Sequence, residues 1–406
     1  MHHHQLLILF ALLIFAFGLV SRFAERKWIT GPMVFMTVGI LGSSVAFGFL
    51  HVTPEMGPVK LVAELALTLV LFIDATLINR DAFAGGSRRI PVRLLLIGLP
   101  LTMIAGTLLG VWMFEGISIW AIVLMALILS PTDAALGQAV VKSEGVPIHI
   151  RQSISVESGL NDGIALPPIL IAMALLGAEA GEHEGAWLGF VIKQVTLGPV
   201  VGFAVGWIGG KLMQKTSEKG WTEETFQRLS ALPLAIMAFA FAESVEGNGF
   251  IAAFVAGLGL TAALTSKEVR HQVQEFGETE GMQLILVVFL IFGLAMVPAA
   301  VPYWGVRELV YALASLTVLR MVPVAISLIG AKLDWQTVTF IGWFGPRGIA
   351  SVLYLLMAVA AIGVEGNEQV MSVIVLTIAI SVYAHGISAT PLSERYGKGQ
   401  AERSSG

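Results

Sequence analysis

The chain has 406 residues, 56% of them hydrophobic and only 13% charged, with a mean hydropathy of +0.82. A soluble globular protein carries about 25% charged residues, so the charge needed to cover a water-facing surface is missing and a water-soluble domain is excluded. A net charge of −4 offers nucleic acid no basic surface, and the absence of cysteine excludes disulfide frameworks, thiolate metal sites and iron–sulfur centres.

The apolar residues come in blocks of about 20, the helical length that crosses the ~30 Å hydrocarbon core of a bilayer. They are continuous rather than alternating, which predicts an all-α membrane protein and not a closed barrel. Thirteen spanning helices are predicted, at approximately 5–21, 31–50, 58–78, 94–114, 118–141, 152–176, 187–210, 229–246, 249–265, 282–301, 305–329, 338–361 and 369–390. The first is read as a span and not a secretory signal. No Lys or Arg precedes it, whereas Arg22, Arg26 and Lys27 follow it. The histidines His2, His3 and His4 are left out of the functional reading.

Segment 3 holds Asp74 in an apolar run, while Glu64 and Glu243 sit near span ends, where a side chain reaches headgroup water. Segment 5 is interrupted near its middle by Ser130-Pro131-Thr132-Asp133. Proline removes a backbone donor and disrupts the preceding turn, freeing carbonyls that can coordinate a cation. Segment 6 carries Gln152-Ser153-Ile154-Ser155-Val156-Glu157-Ser158-Gly159-Leu160-Asn161-Asp162-Gly163. At ~1.5 Å per residue, Asp162 lies ~15 Å into this helix, at the bilayer midplane. Ser158 shares its face, four residues earlier. Glu157 and Asn161 share a neighbouring stripe and can hydrogen-bond each other. A serine and an asparagine alone would read as glue between helices; two carboxylates at that depth indicate a site.

Gly202, Gly206, Gly209 and Gly210 in segment 7 have the small-residue spacing of packed membrane helices. Segment 11 contains Arg320, which can pair with Asp133 or Glu157 or hold two bundles together. Segment 12 has a second interruption, Gly345-Pro346-Arg347-Gly348. Arg347 there would offset partial negative charge and can pair with Glu157. Segments 5 and 12 cross in opposite senses, and paired broken helices in inverted halves point to a secondary-transporter site.

Orientation follows from the positive-inside rule. Of the 24 basic residues, 19 fall in the C-terminal tail and the loops after odd-numbered segments: Arg22, Arg26, Lys27, Arg80, Arg88, Arg89, Arg93, Lys142, Arg151, Lys211, Lys215, Lys219, Arg228, Lys267, Arg270, Lys332, Arg395, Lys398 and Arg403. The other side holds Lys60, Lys193 and Arg307, with acidic stretches at 179–184 and 365–368. The N-terminus is expected outside and the C-terminus in the cytoplasm.

A carboxyl taken out of water holds its proton more tightly. Placed at mid-membrane, Asp162 would hold one proton or one small cation, but not both. Ser158, Thr132 and freed carbonyls would complete an oxygen shell for a hard cation. That competition couples cation movement to opposite proton movement without a nucleotide. Asn161 adds no second charge, and Glu157, if paired with Arg347, stays ionised. One titrating carboxylate implies an electroneutral exchange of one proton per cation, unless Asp133 also titrates.

The stretch Glu157-Ser158-Gly159-Leu160-Asn161-Asp162-Gly163 resembles the Asn-Asp signature of the NhaP-type sodium/proton antiporters. These belong to the monovalent cation/proton antiporter family that includes the animal sodium/proton exchangers. Pro131-Thr132-Asp133, Gly247-Asn248-Gly249-Phe250-Ile251-Ala252 and Gly345-Pro346-Arg347-Gly348 resemble further patterns of that family, in the expected order. The resemblance implies an inverted-repeat fold and a homodimer. It implies an elevator-like motion of an ion-transport core, approximately 94–176 and 305–390, against a dimerisation part, approximately 5–78 and 187–301. It further implies that Asp162 carries the ion, that Ser158, Thr132 and Asp133 lie nearby, and that Glu157, Asn161 and Arg347 organise the site. Sodium is the expected cation, held by Asp162, Ser158 and Thr132, with lithium accepted in its place.

The expected function is therefore sodium/proton exchange serving pH homeostasis in a prokaryotic cell membrane. The transported cation and proton are the substrates, and no cofactor is expected. A potassium/proton antiporter of the same fold is the alternative, followed by a cation channel. An enzyme is not expected, because no paired-histidine zinc motif, serine nucleophile elbow or phosphate loop occurs. The sequence ends soon after segment 13, so regulation through a long cytoplasmic tail is not expected either.

Overall fold

The computed structural model describes residues 2–50, 52–54, 56–78, 89–133, 136, 138–141, 143, 145–179 and 187–405. Arg80, Arg88 and Lys142 of the cytoplasmic set, and residues 180–184 of the acidic stretch, lie outside the described residues.

Every regular element among the described residues is a helix. In chain order come α1 (His2–Arg26), α2 (Gly31–Gly42), α3 (Gly57–Leu77), α4 (Arg89–Arg93), a π turn (Leu94–Gly98) and α5 (Leu99–Met113). Next are α6 (Ile119–Ile128), α7 (Gln138–Val141), α8 (Ile148–Glu179), α9 (Trp187–Glu218), α10 (Glu224–Leu229), α11 (Ala231–Ser244) and α12 (Gly249–Ala263). Then follow α13 (Lys267–Ile291), a second π turn (Phe292–Met296), α14 (Val297–Ala300), a 3₁₀ turn (Val301–Tyr303), α15 (Val306–Leu316) and α16 (Val318–Ser327). The chain closes with α17 (Trp335–Trp343), α18 (Ile349–Ile362) and α19 (Glu368–Ser405).

Among the described residues, seven helical stretches have the length and composition to cross a membrane, and five shorter apolar helices accompany them. Leu108, Trp112, Val200 and Val306 are each at least 66% exposed. Such side chains would be a liability in water. Against hydrocarbon they need no cover, and the burden falls on the backbone, whose polar groups each helix satisfies within itself.

The chain divides into two compact units. The first comprises 1–60, 80–161 and 286–406. One of its cores gathers Ile90, Leu94, Ile150, Ile154, Val324, Leu328, Ile341 and Phe344. In the same unit α2 meets the second π turn backbone to backbone, at Gly39 and Gly293.

The second unit comprises 61–79 and 162–285. Its core joins Leu69, Phe72 and Ile73 of α3 to Ala235 and Ala238 of α11 and Ala252 and Ala256 of α12. Gly202 and Gly206 lie on α9 directly against the Ala252 and Ala256 carbonyls, where a Cβ would have no room. Gly209 faces the Leu234 side chain instead. The seam continues at spacings of four through Gly198, which meets Asn248, and Gly210, which meets Leu260 and Ala263. Lipid is as apolar as these side chains, so it is this close packing that favours helix association. Asn248 and Glu243 explain the Gly247-Asn248-Gly249 stretch locally. The Asn248 side chain accepts the Ile251 N–H at 2.9 Å and Glu243 accepts the Gly249 N–H at 2.8 Å, so both cap the start of α12.

Candidate functional site

Helix α6 stops at Ile128, and residues 131–133 are buried without helical structure. Pro131 cannot continue the ladder, so carbonyls at this helix end need other donors. Ser351 Oγ donates to the Ile128 carbonyl at 2.8 Å. The Arg347 guanidinium supplies two more through Nη1, at 3.1 Å to the Ser130 carbonyl and 3.2 Å to that of Pro131. It also reaches the Gly345 and Ser315 carbonyls, at 3.3 and 3.5 Å. Arg347 is fully buried. Its positive charge sits where a helix C-terminus presents partial negative charge.

The reverse arrangement holds at α18. Residues 344–348 separate its first residue, Ile349, from the end of α17 at Trp343. Asp133 Oδ2 accepts the Ile349 N–H at 2.7 Å, and the Asp133 N–H donates to the Pro346 carbonyl at 2.9 Å. A carboxylate thus caps a helix N-terminus, the end that favours negative charge. Glycine is required on this stretch: a Cβ at Gly348 would strike the Asp133 carboxylate, and one at Gly345 would strike Arg320 and Thr132.

Helix α8 brings the third set of groups. Ser158 Oγ donates to the Thr132 carbonyl at 2.6 Å, and Asn161 Nδ2 donates to Thr132 Oγ1 at 2.7 Å. Asn161 Oδ1 is buried and finds no donor among the described residues. One turn before Asn161, Glu157 meets Arg320 of α16, with Nη1–Oε1 at 2.7 Å and Nη2 donating to Oε2 at 2.8 Å. Both side chains are 1% exposed. The first unit therefore assembles Thr132, Asp133, Glu157, Ser158, Asn161, Arg320 and Arg347. Asp162 is the next residue of α8 after Asn161, is 3% exposed, and begins the stretch assigned to the second unit.

Of the two arginines that could pair with Glu157, it is Arg320 that holds it, because the Arg347 fork is engaged by the carbonyls at the end of α6. The Asn161 amide goes to Thr132, not to Glu157. Sequence reasoning also passed over Ser315, Ser351 and Ser381, the last of which accepts the Arg347 backbone N–H at 2.7 Å. Serines at depth in apolar segments were the available signal, but a small hydroxyl also fits helix packing.

This set offers a chemically consistent cradle. Neutral oxygen atoms of Thr132, Ser158 and Asn161 come together here, with no thiolate or imidazole among them. Such oxygens suit a hard, weakly coordinated cation.

Known proteins share this fold. The fold matches the sodium proton antiporter MjNhaP1 from Methanocaldococcus jannaschii with a TM-score of 0.77, over 98% of this chain and 100% of that one, at 17% identity. The chain is 24% identical over 377 residues to the K(+)/H(+) antiporter NhaP2 of Shewanella sp. (strain MR-4), covering 92% of this chain and 63% of that protein. It is 25% identical over 381 residues to the K(+)/H(+) antiporter NhaP of Alkalimonas amylolytica, covering 89% of this chain and 61% of that one. It thus spans just over three-fifths of the length of these two curated relatives. The family model described as "Sodium/hydrogen exchanger, transmembrane" matches residues 7–395, and the chain is an integral, multi-pass membrane protein of that family.

Proposed function

We propose that this protein exchanges a monovalent cation for protons across the membrane, with Asp162 as the shared carrier of the two. The observation that supports this best is the treatment of Thr132. Its carbonyl and hydroxyl are fixed by Ser158 and Asn161 of the very turn that precedes Asp162. Thr132, Ser158 and Asp162 are the proposed cation ligands. Asn161 Oδ1, buried without a donor, is a further oxygen for the ion or its water.

In this reading Asp133 and Arg347 stabilise two broken spans that cross at mid-membrane, and Arg320 holds Glu157 in an ion pair, out of the exchange. One carboxylate then alternates between a proton and a cation, giving 1:1 electroneutral turnover. The proposal includes 13 spans, with the N-terminus outside and the C-terminus in the cytoplasm of a prokaryotic inner membrane. It also includes a homodimer in which a core, approximately 94–176 and 305–390, moves against a dimerisation part, approximately 5–78 and 187–301.

Sodium, with lithium as a substitute, is the proposed cation. Potassium is the second reading, favoured by the Shewanella and Alkalimonas relatives, which are named K(+)/H(+) antiporters. In proteoliposomes, an imposed pH gradient is expected to drive sodium the opposite way, and Asp162→Asn to abolish that flux. Proton flux that ignores the cation, as a channel would show, or an Asp162→Asn variant that still exchanges, overturns the reading. Sodium, lithium, potassium and rubidium assayed side by side decide the ion.

A further inference from the structure

His385, on α19 and 1% exposed, is a buried imidazole outside the Thr132 cluster. Its Nε2 lies 3.0 Å from the carbonyl of Trp343, the last residue of α17. A carbonyl only accepts, so the bond to Trp343 is made with the ring proton on Nε2. Nδ1 lies on Ser381 from both sides, 3.1 Å from its Oγ and 3.0 Å from its backbone carbonyl. With the proton on Nε2, Nδ1 accepts from the Ser381 hydroxyl, whose oxygen already accepts the Arg347 backbone N–H at 2.7 Å; with the proton on Nδ1, the ring donates to the Ser381 carbonyl instead. In either form His385 is seated on Ser381, and Ser381 holds the Arg347 N–H.

The grip is reinforced one turn later. Ser388 Oγ accepts the Trp343 indole N–H at 3.0 Å. Positions 381, 385 and 388 follow spacings of four and three, so they share one face of α19. One stripe of one helix therefore holds both sides of the interruption at 344–348: the end of α17 through Trp343, and the approach to α18 through Arg347. The need is local. Proline at 346 offers no N–H, and the Arg347 N–H, buried without a helical partner, would otherwise go unsatisfied.

We propose that Ser381 and His385 form a clasp that fixes the gap between α17 and α18, and that they are thereby positioning residues for Arg347 in cation/proton exchange. The inference rests on the exchanger reading. The physical link is reach. The Arg347 guanidinium spans to the Ser130 and Pro131 carbonyls at 3.1 and 3.2 Å, the long end of a good hydrogen bond. A backbone released from Ser381 moves that fork out of range.

The test pairs two measurements on the full chain: amide hydrogen exchange of peptides covering 343–349, and the cation dependence of exchange in proteoliposomes. Ser381→Ala is expected to speed exchange at the Arg347 amide about tenfold or more. It should also raise the half-saturating cation concentration about fivefold, the factor that ~1 kcal/mol represents. Ser381→Thr, which keeps the hydroxyl, should restore both. A Ser381→Ala/His385→Gln double variant should be no worse than its more severe parent, because the two side chains act as one chain of bonds.

Unchanged amide protection in Ser381→Ala, or fully additive losses in the double variant, overturns the clasp. Faster amide exchange with unaltered cation dependence overturns the positioning role. If the unaltered chain shows no cation/proton exchange at all, the exchanger reading fails, and amide protection with its additivity then judges the clasp alone. Should His385→Gln fail to fold, the Ser381→Ala and Ser381→Thr pair still decides.

Discussion

The glycine seam between α9 and α12 and the interrupted stretch around Thr132 are both tightly packed, yet they are held by opposite means. At the seam, Gly202 and Gly206 bring one helix onto the carbonyls of another, and no side-chain charge takes part. Along the middle of the seam contact is left to shape. At the start of α12 it is joined by hydrogen bonds to α9, from Asn248 Nδ2 to Gln194 Oε1 at 2.9 Å and from the Asn248 N–H to the Gln194 carbonyl at 3.3 Å. Around Thr132 the backbone leaves the helix twice, and every freed group must find a donor or acceptor. Asp133, Arg347, Ser158 and Ser351 are those partners, and Asn161 holds the Thr132 hydroxyl. The seam is a place to adhere, whereas the interruption leaves oxygen atoms that something else can use.

The largest effect should come from striking the polar side of this contrast. Arg320→Ala leaves Glu157 as a buried, unpaired charge, and should destabilise the protein by about 3–5 kcal/mol in chemical denaturation. The sharper version replaces both partners. Glu157→Leu/Arg320→Met should recover most of that loss, since removing a buried pair together is far milder than breaking it. If the double variant is as unstable as Arg320→Ala, packing at these positions matters and their charges do not.

The seam should break by volume instead. Gly206→Val places a branched side chain against the Ala256 carbonyl, which belongs to a helix backbone and cannot swing aside. Denaturation should show a loss of about 2–3 kcal/mol, while Gly189→Ala, at a position with open space on the same helix, should be nearly silent. Equal effects at the two glycines would mean that helix propensity, not contact, sets the requirement.

The smallest effect should come from a surface pair that resembles the buried one only in name. Asp334 caps the start of α17, accepting the Thr337 N–H, and pairs with Arg403 near the end of α19. Partial burial pushes its carboxyl up, but the bonds from Thr337 and Arg403 outweigh this and hold it below its ordinary value of 3.8. A depressed carboxyl stabilises the fold above that ordinary value and loses its contribution as pH falls through the folded-state value. The difference in Tm between the native chain and Asp334→Asn should therefore be full at neutral pH and vanish in strong acid. A gap that widens on acidification would reverse the assignment.

These regions also differ in how much of them could be read in advance. The helix ends beside Pro131 and Pro346 were legible, because proline acts on its own turn and needs no distant partner. The glycine spacing in α9 was legible for the same reason, except at Gly209, which was grouped with the others but faces the Leu234 side chain and lies off the seam. Charge partners were not. Arg320 and Arg347 are equally plausible mates for Glu157 along the chain, and only the three-dimensional path of α16 gives the carboxylate to Arg320. Ser381 and His385 were invisible for a related reason. A hydroxyl and an imidazole in an apolar helix mean little until the groups they satisfy, the Arg347 N–H and the Trp343 carbonyl, are known to stand opposite.

The buried charges of the first unit have a consequence for work done against a membrane voltage. Moving one elementary charge through 100 mV takes about 2.3 kcal/mol. Counted at their formal charges, Asp133 and Glu157 are matched by Arg320 and Arg347, so these four groups sum to zero. Displacing them together across the field does no electrical work. In the proposed exchange only Asp162 and its cargo remain, and a carboxylate with a sodium ion is as neutral as a carboxyl with a proton. A membrane potential would then find nothing to pull on in either direction of the cycle, and turnover would answer to concentration gradients alone.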